Sequence, residues 1–144
     1  MYTSHDIASA SIAAWPRPEA GVAPELRVLT IDDDPALSRF LRQALDLRGH
    51  RVTTASEPAE ALALLENRPF DVLCADLNLS RLGRLEGLDL IERARYLRPR
   101  LRIVVLTGAD DPEVLSACRE KGADRIVIKG GPWRALFEEI ESEN

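Results

Sequence analysis

Two rhythms of apolar residues alternate along this chain. Short apolar runs recur at Leu26–Ile31, Arg51–Ala55, Asp71–Ala75, Arg102–Leu106 and Arg125–Ile128, the length and composition expected of strands. Between them the spacing shifts to that of a helix with one apolar face. Leu37, Phe40, Leu41, Ala44 and Leu45 share such a face, on a segment that Asp34 caps, Pro35 opens and Gly49 closes. Ser56-Glu57-Pro58 starts a second helix with Ala61, Leu62 and Leu65 inward, and a third turns Leu88, Ile91 and Ala94 inward. Asp111-Pro112 repeats the cap-and-proline start for a fourth, which carries Val114, Leu115, Ala117 and Cys118 and stops at Gly122. Pro132 opens the last helix, with Trp133, Leu136, Phe137 and Ile140 on its apolar side.

This is a strand–helix unit repeated five times. The first, third, fourth and fifth runs are almost continuously aliphatic, as strands are when helices cover both faces of a parallel sheet. The pattern predicts an α/β fold: a doubly wound, five-stranded parallel sheet in the flavodoxin-like order 2-1-3-4-5, helices on both faces. Right-handed crossovers place the functional loops at the carboxyl ends of the strands. The first and third strands are then neighbours at the point where the winding reverses. One domain is expected over residues 26–144. Residues 1–25, rich in Ser, Ala and Thr with Pro16, Pro18 and Pro24, read as a flexible arm.

Composition narrows the function classes. A chain of 144 residues with 45% hydrophobic and 30% charged residues supports one packed core and is not a disordered sequence. The net charge of −5 and the lack of a basic stripe argue against nucleic acid. Arg81, Arg84, Arg93, Arg95, Arg98, Arg100 and Arg102 crowd one region and read as solvated surface. Cys74 and Cys118 sit inside apolar patterns and read as reduced core thiols, which implies a cytoplasmic setting. His5 and His50 are isolated and read as surface residues. No Cys/His spacing marks a metal site, and the N-terminal stretch, without a long apolar core or a basic start, is not expected to be a signal peptide, nor any run a membrane span.

The chemistry lies where the apolar runs end. The first is followed by Asp32-Asp33-Asp34, the third by Asp76, the fourth by Thr107 and the fifth by Lys129. In the predicted topology Asp32, Asp33 and Asp76 converge, and three close carboxylates cannot all stay ionised without help. Mg²⁺ is the simplest help, since it accepts one or two carboxylates, keeps several waters and favours phosphate oxygen. Asp33 and Asp76 are the expected direct ligands, Asp32 binds directly or through water, and Asp34 serves as a helix cap. Asp76 is the candidate nucleophile toward a phosphoryl donor. Mg²⁺, the Lys129 ammonium and the Thr107 hydroxyl would each take one phosphoryl oxygen.

Taken together, Asp32-Asp33, Asp76, Thr107 and Lys129, each at its place on the repeat, resemble the receiver domain of bacterial two-component response regulators. The resemblance runs from about Leu26 to Glu141. It implies that Asp76 accepts phosphate from a histidine kinase or phosphotransfer protein. It also implies that Asp32, Asp33, Asp76 and the Asn78 backbone carbonyl hold Mg²⁺, and that Thr107 and Lys129 read the phosphoryl group. Enzymatic work would be limited to Mg²⁺-dependent self-phosphorylation and self-dephosphorylation, at a rate tuned from Asn78 and Ala109. Output is expected through an unidentified protein partner or a phosphorelay, from a stand-alone domain, without nucleic acid or membrane. Homodimerisation through the fourth and fifth helices stays open. Three features depart from the family. Ile126 replaces the usual aromatic, Gly130 replaces the proline after the lysine, so a trans bond and a remodelled loop are expected there, and Ser80 stands where proline is common. The loop Arg81–Glu86 is also longer than usual.

Two other readings stay open. Asp32-x-Asp34 and Thr107 imitate the first two motifs of haloacid-dehalogenase-type phosphohydrolases, with Asp32 as nucleophile and Asp34 as acid/base. That reading leaves Asp76 without a role. The other is a degenerate receiver that binds partners without phosphate.

Overall fold

The computed structural model describes residues 24–78, 83–108 and 110–142. Nearly all of the expected arm, together with Ser80 and Ala109, lies outside the described residues. The elements are β1 (Arg27–Ile31), α1 (Pro35–Leu47), β2 (Arg51–Ala55), α2 (Pro58–Asn67), β3 (Val72–Asp76), α3 (Arg84–Leu97), β4 (Arg102–Thr107), α4 (Pro112–Lys121), β5 (Arg125–Ile128) and α5 (Trp133–Glu141). The strands form one sheet in the order β2-β1-β3-β4-β5, every pair parallel. This is the predicted fold and strand order.

Alternation along the strands divides the interior in two. Leu29 and Ile31 of β1, Leu73 and Ala75 of β3, and Ile103 and Val105 of β4 pack beneath α2, α3 and α4. Val28, Val72, Cys74, Val104 and Leu106 face the other way, against α1 and α5. Leu136, Phe137 and Ile140 of α5 are essentially fully buried; burying one such side chain stabilises by about 1.5–3 kcal/mol. Asp34 and Asp111 accept from the backbone N–H of Ala36 and Glu113, the expected N-caps of α1 and α4. Both free thiols, Cys74 and Cys118, are buried, and burial pushes the Cys74 thiol up to about 12, which leaves it unreactive.

The structure corrects the sequence reading in several places. The inner face of α3 is Gly87, Leu90, Ile91 and Ala94, with Leu88 only half-buried. On α4 only Val114 and Cys118 are fully inside. β5 is not sealed on both faces: it is an edge strand, its residues are half-buried, and Ile128 is exposed. The stretch read as the loop Arg81–Glu86 turns helical at Arg84. His50 is not a surface residue. It is 4% exposed, its Nδ1 accepts from Leu26 N–H at 3.1 Å, and its Nε2 lies 2.7 Å from Glu141 Oε2. Because Nδ1 is an acceptor, Nε2 carries the proton and donates to Glu141.

Candidate functional site

The parallel register brings the carboxyl ends of β1, β3, β4 and β5 level, where Asp32, Asp76, Thr107 and Lys129 stand; Asp32 and Asp76 line a cleft there, whereas Thr107 is not part of its wall. Asp32 stands one residue past β1. Its N–H donates to Ala55 O at 3.1 Å, which prolongs the ladder and fixes the start of its side chain. Its Oδ1 accepts from Asp34 N–H at 2.9 Å, an Asx turn that leads into α1. The residue is buried, and among the described residues no donor meets its Oδ2. Asp33 sits on the exposed rim of the same cleft. Asp34 spends its carboxylate on the α1 cap.

Asp76 is the last residue of β3, its side chain only 6% exposed, and Lys129 Nζ lies 2.7 Å from its Oδ1. Lys129 follows β5 directly and is held by its own N–H, which donates to Thr107 O at 2.8 Å. Thr107 closes β4 and is fully buried. Asn78, two residues past Asp76, lines the cleft with Asp32, Asp33 and Asp76. The cleft has a volume of about 750 Å³ and continues between α2 and α3, where Gly83 and Glu86 join its wall. In the sequence both fall in the loop Arg81–Glu86, with no role at the site assigned to either. A glycine a few residues after a strand-end acid was their one signal.

Charge is short by one positive unit in this hollow. Burial pushes Asp32 up to about 8, helped by the neighbouring Asp76 carboxyl and opposed by the Asp34 N–H. Burial also raises Asp76, against the pull of the Lys129 ammonium. One lysine thus faces two buried carboxyls, and burial favours the protonated form of both. A proton held between the pair would serve the unpartnered Asp32 Oδ2, and so would a cation. Among the described residues no three His, Cys, Asp or Glu side chains are already drawn into a closed metal cage. Mg²⁺ does not need one, because it takes one or two carboxylates and retains waters. The all-oxygen donors and the orphaned Oδ2 fit such an ion. Asp76, backed by a lysine and facing a cleft, is placed to act as a nucleophile.

Residues 28–141 match the response regulator receiver domain. The acid tolerance regulatory protein ActR of Sinorhizobium medicae is 40% identical over 136 residues, covering 79% of this chain and 69% of that protein. The alginate biosynthesis transcriptional regulatory protein AlgB of Pseudomonas aeruginosa is 34% identical over 103 residues, 72% of this chain but only 22% of that protein. The chain therefore spans less than a quarter of the length of that relative. Among solved structures, a CheY-like response regulator receiver domain protein from Methanospirillum hungatei superimposes with a TM-score of 0.71 at 29% identity, covering 81% of this chain and 91% of that one. A response regulator from Burkholderia pseudomallei, crystallised with a phosphorylated aspartic acid, calcium ion and citrate, gives 0.71 at 29% identity, over 82% of this chain and 68% of that one. Among the described residues no helix is long and apolar enough to cross a membrane.

Proposed function

The chain belongs to the response regulator receiver domain family, and from that premise we propose that it is a phosphoacceptor switch working through Asp76. The observation that carries the proposal is the buried Asp76 carboxylate, met by Lys129 at 2.7 Å and neighboured by an Asp32 oxygen that has no donor among the described residues. The donor is a phosphohistidine of a histidine kinase or phosphotransfer protein. An Asp76 carboxylate oxygen attacks phosphorus, an acyl phosphate bond forms, and the P–N bond breaks. The bonding pair leaves with the ring nitrogen, and the imidazole, protonated at its other nitrogen, departs neutral.

When bound by Asp32, Asp33, Asp76 and the Asn78 backbone carbonyl, Mg²⁺ supplies positive charge against one phosphoryl oxygen. The Lys129 ammonium, already at the carboxylate, reaches a second oxygen, and the Thr107 hydroxyl donates to the third. The phosphorylated aspartate and calcium ion of the Burkholderia pseudomallei relative support this chemistry. The switch then acts through protein contacts around β4, α4 and β5, with a separate partner or an attached output domain as recipient. The hydrolase reading is disfavoured because Asp34 caps α1 and so is not aimed at a substrate.

The test is intact-protein mass after incubation with acetyl phosphate or phosphoramidate, with and without Mg²⁺, for wild type and Asp76→Asn. One phosphoryl group, dependent on Mg²⁺ and absent from the variant, is expected. Loss of the adduct in Asp32→Asn but not in Asp76→Asn would instead establish the hydrolase. No adduct on wild type, and no phosphate released in the same tube, would leave a phosphate-independent binding module.

A further inference from the structure

Gly83 is the N-cap of α3, with φ −101° and ψ 0°. That backbone conformation suits any residue, so conformational freedom does not explain a glycine here. Space does. A Cβ at position 83 would overlap the backbone carbonyl oxygen of Asn78 and come within 3.4 Å of the Asn78 carbonyl carbon and Cβ. The contrast within the same end of the molecule is sharp: a Cβ at Gly108, just past Thr107, would meet nothing within 4 Å. Gly83 also starts α3, since Gly87 N–H donates to its carbonyl at 3.1 Å. The first turn of α3 is therefore built directly against the Asn78 peptide, which lines the cleft beside Asp32, Asp33 and Asp76.

We propose that Gly83 is a positioning residue for the cation site: its bare Cα is a seat, leaving the room that the Asn78 carbonyl oxygen occupies beside the cleft. This inference rests on the phosphoacceptor reading, in which that carbonyl is a ligand. Mg²⁺ holds its ligands at about 2.0–2.1 Å in a near-ideal octahedron, so it tolerates little displacement of a carbonyl. A methyl group at position 83 must push the Asn78 peptide aside, and the displaced oxygen no longer meets the ion. Changes to residues supporting metal ligands typically weaken binding by about 10–100-fold. The seat also couples the cation site to α3, because whatever moves the Asn78 carbonyl presses on the helix start.

The experiment compares the full chain with Gly83→Ala and with Gly108→Ala as the matched control. The Mg²⁺ concentration that half-saturates phosphorylation by acetyl phosphate is measured, together with Mg²⁺ binding to the unphosphorylated chain followed by backbone NMR. For Gly83→Ala the half-saturating concentration rises about tenfold or more, the rate at saturating Mg²⁺ returns to the wild-type value, and Gly108→Ala behaves as wild type. A merely structural defect would lower the saturated rate as well. In the wild type, the Gly83 resonances move with the Asn78 resonances during the Mg²⁺ titration; this part stands even if Gly83→Ala does not fold. Unchanged Mg²⁺ affinity in Gly83→Ala, or stationary Gly83 resonances while those of Asn78 move, overturns the inference. If wild type shows no Mg²⁺ response at all, the phosphoacceptor reading fails. The seat is then judged by whether Gly83→Ala shifts the Asn78 carbonyl resonance without metal, and an unmoved resonance overturns it too.

Discussion

Away from the site, the most informative residue is Glu141. It lies at the end of α5, 15% exposed, and its carboxylate is shared between the Arg48 guanidinium and His50 Nε2. Burial would raise its pKa, but the hydrogen bonds from His50 and Arg48 together overcome burial and hold it at about 2, against an ordinary 4.5. The sign of the linkage follows. A carboxylate with a native pKa below its unfolded value adds stability at every pH above the unfolded value, and loses it as the pH falls toward the native value. Glu141→Gln is therefore expected to cost about 1.5–3 kcal/mol near neutral pH, the worth of hydrogen bonds to a charged group. The gap between wild type and variant should narrow steadily between pH 4.5 and 2. Urea unfolding at a series of pH values measures this, and a gap independent of pH would show that Glu141 acts through packing alone. His50 escaped the sequence reading because both of its partners are remote: Leu26 is 24 residues away and Glu141 is 91. No local pattern announces a buried histidine that is satisfied across the whole chain.

At the level of elements, local rules carried far and failed where tertiary context decides. The five inward residues of α1 are those its periodicity gives, because one strong apolar face and two polar ones leave no choice of orientation. The α3 sequence Leu85-Glu86-Gly87-Leu88-Asp89-Leu90-Ile91 offers leucines on three sides. Periodicity chose Leu88, whereas the sheet takes Gly87 and Leu90 and leaves Leu85 exposed. The fifth strand is aliphatic like the others, yet among the described residues nothing pairs with its outer edge; strand order, not composition, decides that exposure. The site was legible because its residues sit at strand ends, a position that the alternation itself locates. The peptide bond after Lys129 is trans, as expected, for no cis bond occurs among the described residues, and Gly130 takes the left-handed φ of 104°. Asp34 tests the division of labour within the acidic run. If it only caps α1, Asp34→Ala lowers stability by about 0.5–2 kcal/mol and leaves the phosphoryl adduct intact. Thermal denaturation and intact mass on the same sample read both, and loss of the adduct without loss of stability would return Asp34 to a chemical role.

On the scale of the whole molecule, the sheet has two chemically opposite ends. Carboxylates gather at the carboxyl ends of the strands, whereas four of the five strands begin with an arginine: Arg27, Arg51, Arg102 and Arg125. The arginines near the third and fourth strands are not simply solvated. Arg98 Nε donates to Leu65 O at 2.7 Å at the end of α2, Arg95 Nη2 to Gly122 O at 2.7 Å past α4, and Arg102 Nη1 to Ile140 O at 3.2 Å in α5. Helices that start at the acidic end finish here, and their last carbonyls draw the guanidinium groups. The basic end is thus a set of helix caps and ion pairs that anchors the elements, and it leaves the opposite end to bear the strain of two buried carboxyls. Within that frame β5, like β2, is an edge strand. Among the described residues it pairs only with β4, it is half-exposed, and just past it Lys129 joins it to Asp76. Central strands open only with the whole domain, whereas an edge strand opens locally. Amides of Ile126, Val127 and Ile128 should exchange hydrogen well before those of β1 and β3. A phosphoryl group on Asp76 that engages both Thr107 and Lys129 would tie β4 to the end of β5, so exchange at those amides should slow on phosphorylation while β1 stays unchanged. Hydrogen exchange followed by NMR, with and without acetyl phosphate, makes the measurement. Equal exchange of β5 and β3, or an unaltered β5 in a sample shown by mass to be phosphorylated, would mean that the signal leaves Asp76 by a route other than the edge strand.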